Sequence, residues 1–288
     1  MIRGRGVKGT VRSRRRSIVT AFAVLAGLSG AQALDLRSRP YAPTAADRAA
    51  VQALAEAPAT AFAADAFTAP DGTVLPFRLR SPAVSPGDTL PLVVLLHGAG
   101  SMGRDNAAQL SADIKAWAEP AIADRFRAHV VAPQFAARSA DYAPDADGEL
   151  AARPGAPFSA VLALIEHLKE RLPVDRSRVY VVGFSMGAST ALLAAAREPE
   201  RFAGIVSFSG VGPERRLAPA AARTPVLFVH GTADTQNPFG SARAWAEALA
   251  AAGGRPLFLA LEGMGHEVPP DAALAPDWRE WLFAQARR

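Results

Sequence analysis

The chain has 288 residues, half of them hydrophobic and 20% charged. That apolar content excludes general disorder, and the length suits one large α/β domain. The absence of cysteine excludes disulfides, a thiolate nucleophile, a cysteine-ligated metal and a lipoprotein anchor.

The formal charge of +5 comes from one end. Residues 1–33 hold Arg3, Arg5, Lys8, Arg12, Arg14, Arg15 and Arg16 and no acid, which leaves 25 basic against 27 acidic side chains in the rest. The basic excess therefore gives no reason to expect a nucleic-acid partner. Residues 1–33 read as an export signal. A basic stretch is followed by an eleven-residue apolar run, Ile18–Leu28, and by Ala31 and Ala33 at A-x-A spacing. The run is too short to span a bilayer as a helix, so no stable membrane span is expected once the signal is removed. "RRRSIV" also resembles a twin-arginine signal. The expected location is periplasmic or secreted.

Residues 34–70 are rich in Ala and Pro and read as a linker or a small N-terminal appendage, with one short helix over 44–57 capped by Thr44. The main domain is expected over 71–288. "GTVLPFRLRSP" predicts an early strand, and "LPLVVLLHG" (90–98) a strand buried on both faces. Leu110, Ile114 and Trp117 recur at helical spacing. "AHVVAPQ" is a short strand, and Pro133 to Pro157 reads as the longest loop, expected to shape a pocket. A helix over 158–172 precedes the strand "SRVYVVGFS" and a helix over 186–197. "FAGIVSFSG" and "TPVLFVHG" are strands; "SARAWAEALAAAGG" is a helix stopped at Gly253 and Gly254; "PLFLALEG" is a strand and "PDWREWLFAQARR" a final helix. This alternation predicts an α/β fold, a mostly parallel sheet with helices on both faces, and chemistry beyond the carboxyl ends of the strands.

Four strand ends carry glycine beside a polar or titratable residue. They are His97-Gly98-Ala99-Gly100-Ser101, Gly183-Phe184-Ser185-Met186-Gly187, His230-Gly231-Thr232-Ala233-Asp234 and Gly263-Met264-Gly265-His266-Glu267. A serine hydroxyl is a poor nucleophile at neutral pH and needs a base that is itself oriented by an acid. Glycines on either side of Ser185 permit a sharp strand-to-helix turn, and the new helix aims its N-terminus at a developing oxyanion.

Here the chain resembles the α/β-hydrolase family. G-x-S-x-G is matched at 183–187, the Ser–acid–His order by Ser185, Asp234 and His266, and the His-Gly oxyanion loop by His97–Gly100. "LLHGAG", "VVAPQ", "GFSMG", "HGTAD" and "GMGHE" look most like the carboxylesterase/phospholipase, dienelactone-hydrolase-like and polyhydroxybutyrate-depolymerase-like branches. Typical dienelactone hydrolases use a cysteine nucleophile, which this chain lacks.

The resemblance implies an α/β-hydrolase fold and a cofactor-free serine hydrolase acting on carboxylic esters, small or polymeric. A peptidase or polyester depolymerase would use the same triad, and a non-catalytic binding protein would keep only the fold. It implies Ser185 as nucleophile, Asp234 as acid and His266 as base, with the amides of Met186 and Ala99 as oxyanion donors. Gly98 or Gly100 could replace Ala99. Gly98, Gly100, Ser101 and Phe184 are candidate pocket residues.

His97 and His230 compete with His266 as base, but the resemblance implies that they support their turns. Asp271 is the alternative acid, and Glu267 adjoins His266 with a diverging side chain. No metal is expected: the five histidines show no ligand pairing with carboxylates, and "DYAPDADGE" (141–149) reads as a solvated acidic loop. Only residues 209–224 separate two late strands, too few for a cap domain.

Overall fold

The computed structural model describes residues 33–287, so the expected export signal, apart from Ala33, lies outside the described residues. The elements run β1 (Asp35–Pro40), α1 (Ala45–Glu56), β2 (Ala63–Thr68), β3 (Val74–Arg80), β4 (Leu90–Leu96), α2 (Ala112–Lys115), α3 (Pro120–Ala123), β5 (His129–Pro133), β6 (Ala140–Pro144) and β7 (Leu150–Pro154). There follow α4 (Phe158–Arg171), β8 (Val174–Phe184), α5 (Met186–Arg197), β9 (Gly204–Phe208), α6 (Ala218–Ala221), β10 (Val226–Gly231), α7 (Phe239–Ala251), β11 (Leu257–Glu262) and α8 (Asp277–Phe283).

Nine strands form one sheet in the order β1-β11-β10-β9-β8-β4-β5-β3-β2. From β1 to β5 every pair is parallel, and β3 and β2 are antiparallel additions at one edge. Successive side chains of a strand point to opposite faces. In β4, Leu92, Val94 and Leu96 therefore join the core under α4, α5 and α7, whereas Val93 and Leu95 join the core under α8 and the 112–123 segment. Burial on both faces is why β4 reads as an unbroken apolar run. Each such side chain contributes about 1.5–3 kcal/mol of burial, which fixes the central strands.

The elements depart from the sequence reading in three places. Residues 34–70 are not a linker. β1 pairs with β11 in parallel register from Asp35↔Leu257 to Pro40↔Glu262, β2 pairs with β3, and α1 lies between them with a Thr44–Asp47 capping box. β1 and β2 are largely exposed edge strands, so they lack the apolar signal of central ones. The helix expected around Leu110–Trp117 divides into α2, a 3-10 turn over Ala116–Ala118, and α3, with Pro120 starting the last piece. The 133–157 loop contains the hairpin β6–β7. It is fastened to α5 by Ser139 Oγ···Thr190 Oγ1 at 2.8 Å and Tyr142 Oη···Ser189 Oγ at 3.1 Å. Its acidic turn meets Arg215, whose Nη2 lies 2.5 Å from Asp147 and Nε 3.3 Å from Asp145.

Between β9 and β10 the chain makes only a short turn and α6, and among the described residues no large cap domain interrupts the fold. Among the described residues no helix is long and apolar enough to cross a membrane, and no group of three or more His, Asp or Glu could hold a metal ion. The parallel strands all end at one edge of the sheet, and the segments after β4, β8, β10 and β11 meet there.

Candidate active site

The turn at Ser185 is built by backbone contact. β8 ends at Phe184 and α5 begins at Met186, which leaves Ser185 alone at φ 53°, ψ −120°. That conformation costs an L-residue on the order of 1–3 kcal/mol and survives only where its surroundings impose it. A Cβ on Gly183 would lie 2.4 Å from the Gly187 carbonyl carbon, and one on Gly187 would lie 2.1 Å from the Leu96 carbonyl oxygen. Ser185 N–H donates to Phe208 O at 2.9 Å, and its carbonyl accepts from Ser189 N at 3.0 Å. The strained turn is thus held between β4, β9 and the first turn of α5.

His266 bridges the half-buried Ser185 to the buried Asp234. Its Nε2 lies 2.8 Å from Ser185 Oγ and its Nδ1 lies 2.7 Å from Asp234 Oδ2. A carboxylate only accepts, so Nδ1 carries the proton and Nε2 is free to accept from the hydroxyl. Asp234 Oδ1 accepts from the amides of Gln236 and Asn237, each at 2.9 Å. Burial alone would raise the Asp234 pKa. Hydrogen bonds from His230, His266 and the Asn237 amide outweigh it and hold the carboxyl well below the usual range. The acid therefore stays ionised at neutral pH. The remaining oxygen also turns the chain into α7, so the same carboxylate caps a turn and orients an imidazole.

The loop after β4 lies against this turn. A Cβ on Gly98 would come 3.0 Å from Phe184 Cδ1 and 3.5 Å from Ser185 Cβ. Ala99 then opens a 3-10 turn, Ala99–Ser101. Met186 and Ala99 are the first residues of their helical turns, where amides have no intrahelical acceptor. The Phe184 ring stands 5.0 Å from the His266 ring. Gly100 borders open space, and the Ser101 carbonyl accepts from Gln134 Nε2 at 3.3 Å. Among the described residues no hydrogen bond joins either to Ser185.

The other histidines serve the frame. His97 is buried, its Nδ1 2.7 Å from Gly98 O, and its Nε2 accepts the Phe135 amide at 3.0 Å. Burial lowers its pKa, so it is a neutral tie between the ends of β4 and β5. His230 Nε2 donates to Asn237 O at 2.9 Å and lies 3.3 Å from Asp234 Oδ2. His129 is paired with Ser81 at 2.8 Å, and His167 packs on Phe67. Asp271 bonds Arg39, not a histidine.

Two contributors escaped the sequence reading. Asn237 donates from Nδ2 to Ser209 O at 2.6 Å, tying the Asp234 turn to the end of β9. Ser189 Oγ accepts the Val211 amide at 2.9 Å. The Asn-Pro pair at 237–238 is a turn signal that marks the first; nothing local marks the second.

A hydroxyl, an imidazole and a buried carboxylate in hydrogen-bond sequence, at the carboxyl edge of a mostly parallel sheet, have the parts for moving a proton off the hydroxyl. This is the α/β-hydrolase fold. Residues 142–273 match the phospholipase/carboxylesterase family model. The chain is 29% identical to "Putative esterase NocK" of Nocardia uniformis subsp. tsuyamanensis over 244 residues, covering 79% of this chain and 66% of that protein. The crystal structure of a thermostable esterase matches with TM-score 0.69 and 30% identity over 79% of this chain and 64% of that one. This chain thus spans just under two thirds of the length of each. An acylaminoacyl peptidase of Pyrococcus horikoshii shares the fold at TM-score 0.57 and 14% identity, covering 79% of this chain and 42% of that one. The chain has the α/β-hydrolase fold and is similar in sequence to carboxylesterases.

Proposed function

We propose that the protein is a serine hydrolase that cleaves carboxylic esters through an acyl-enzyme on Ser185. The observation that carries this is the Ser185–His266–Asp234 hydrogen-bond sequence at 2.8 and 2.7 Å. Ser185 Oγ attacks the ester carbonyl while His266 Nε2 takes its proton. The carbonyl oxygen becomes an oxyanion facing the amides of Met186 and Ala99, and the α5 N-terminus favours that charge. The carbon–oxygen bond to the alcohol breaks as His266 returns the proton to the leaving oxygen. Water then attacks the acyl group, gives a proton to His266, and Oγ leaves and regains it. Asp234, ionised throughout, stabilises the imidazolium in both halves. The short β9–β10 connection supports an open mouth.

Steady-state hydrolysis of p-nitrophenyl esters from acetate to palmitate, by wild type and Ser185→Ala, tests the reading. Wild-type turnover and a loss of about 10⁴-fold or more in the variant are expected. Equal rates would remove Ser185 as the nucleophile. We further infer export from the basic and apolar leader; a chain beginning near Leu34 after passage through a bacterial host is the expected product, and an intact cytoplasmic chain would oppose it.

A further inference from the structure

β1 follows β11 to its last residue. Pro40 is in register with Glu262, Tyr41 N–H donates to Glu262 O at 3.0 Å, and Ser38 Oγ donates to Glu262 Oε1 at 2.6 Å. At Gly263, φ 80°, the chain then swings into the loop that carries His266. The N-terminal segment follows that loop too. Arg39 Nη2 donates to Asp271 Oδ2 at 2.6 Å, both side chains being about one-fifth exposed at 23% and 18%. The buried Tyr41 hydroxyl faces Glu267, the residue after His266, close enough that burial and that carboxylate push its pKa up to about 12 without a full hydrogen bond. Farther on, Leu54 of α1 is buried with Ala273 and Ala116, and Val51 and Leu274 pack on them.

The same loop is also held by α8. Trp278 Nε1 donates to Ala272 O at 3.0 Å, and the fully buried Arg279 donates to Ala273 O at 2.9 Å and Ala275 O at 2.8 Å. The loop therefore has two clamps, one from each end of the described chain.

We propose that residues 35–56 are a strap that positions His266, and that Arg39 is the positioning residue through which it acts, by way of Asp271. The inference rests on His266 being the base. Arg39 Nε and Asp271 Oδ1 are buried without a hydrogen-bond partner. A partly buried pair with unsatisfied atoms is a poor source of net stability, because desolvation offsets the attraction; what it fixes is geometry. Its geometry sets where residues 266–271 lie, and base-to-nucleophile reach is sensitive to displacements of an ångström.

The test compares Arg39→Met, Asp271→Asn, their double variant, Arg39→Lys and His266→Ala with wild type, all as full-length chains. The readouts are kcat and KM on a p-nitrophenyl ester, fluorophosphonate labelling rate, and Tm. Expected are a roughly tenfold fall in kcat and in labelling rate for Arg39→Met and Asp271→Asn, with KM within about twofold. The double variant should be no worse than the poorer single, and Arg39→Lys should recover most of kcat. Asp271→Asn is nearly isosteric and decides the matter if Arg39→Met fails to fold. An inactive His266→Ala beside wild-type kcat in the Arg39 and Asp271 variants, whatever their Tm, would overturn the strap alone. Full activity in His266→Ala would instead remove the reading on which it rests.

Discussion

Around Ser185 the backbone leaves no room. The nearest neighbours of any side chain added at Gly183 or Gly187 are main-chain atoms of the turn, of β4 and of α5, and none can yield by changing a rotamer. Around His266 the backbone is also close just before the histidine, where a Cβ on Gly231 would lie 2.2 Å from Met264 O, but the histidine and the loop after it are held by the side chains of Asp234, Trp278, Arg279 and Arg39. The elbow is one rigid solution. The histidine side adds polar side-chain contacts that can be removed one at a time.

The two sides should therefore fail differently. Asp234→Asn should leave the fold intact and lower kcat by about 10⁴, close to 5 kcal/mol in the barrier, because an amide no longer fixes the proton on Nδ1. Normal circular dichroism beside that loss is the expected result, and an unfolded variant would break the contrast. Gly187→Ala should do the reverse. With a Cβ placed 2.1 Å from Leu96 O, it should lose at least about 3 kcal/mol in urea melts or fail to accumulate. A variant as stable as wild type would show that the elbow is less tightly packed than its distances say.

Acid pH sharpens the comparison further. The folded Asp234 pKa is depressed, so its carboxylate contributes stability that is fully present above an unfolded value near roughly 4 and is lost as pH falls through the folded value. Wild type should lose stability over that window more steeply than Asp234→Asn, which takes up no proton there. Parallel slopes in acid titrations would deny the shift. The smallest effect belongs to the far edge of the sheet. Asp65→Ala removes the half-exposed pair with Arg171 and should cost less than about 1 kcal/mol, with kcat unchanged.

The same contrast governs what was legible in the sequence. β4, β8, β9, β10 and β11 announce themselves because burial on both faces demands continuous apolar residues. The elbow is legible because close backbone approach demands glycine at 183 and 187. Ser185, Asp234 and His266 are marked by their place just after strands, and the structure joins them in one hydrogen-bond sequence. β1, "DLRSRP", is silent because an edge strand exposed along most of its length has no pattern to obey. The β6–β7 hairpin is hidden in the same way by short, half-covered strands. Asn237, Ser189 and Arg39 act on partners 28, 22 and 232 residues away, and no local pattern encodes such a meeting.

The pairing of β1 with β11 also sets a timetable. The first described strand has its partner more than two hundred positions later, as the Ser38–Glu262 separation of 224 shows. Contacts that close so long a loop form late, after the central strands and the elbow have condensed from closer pairings. A chain emerging from the ribosome, or refolding from urea, thus completes the surroundings of Ser185 before those of His266. Recovery of far-ultraviolet circular dichroism should run ahead of recovered turnover, and a molecule halted in between would have its hydroxyl in place and nothing to draw the proton from it.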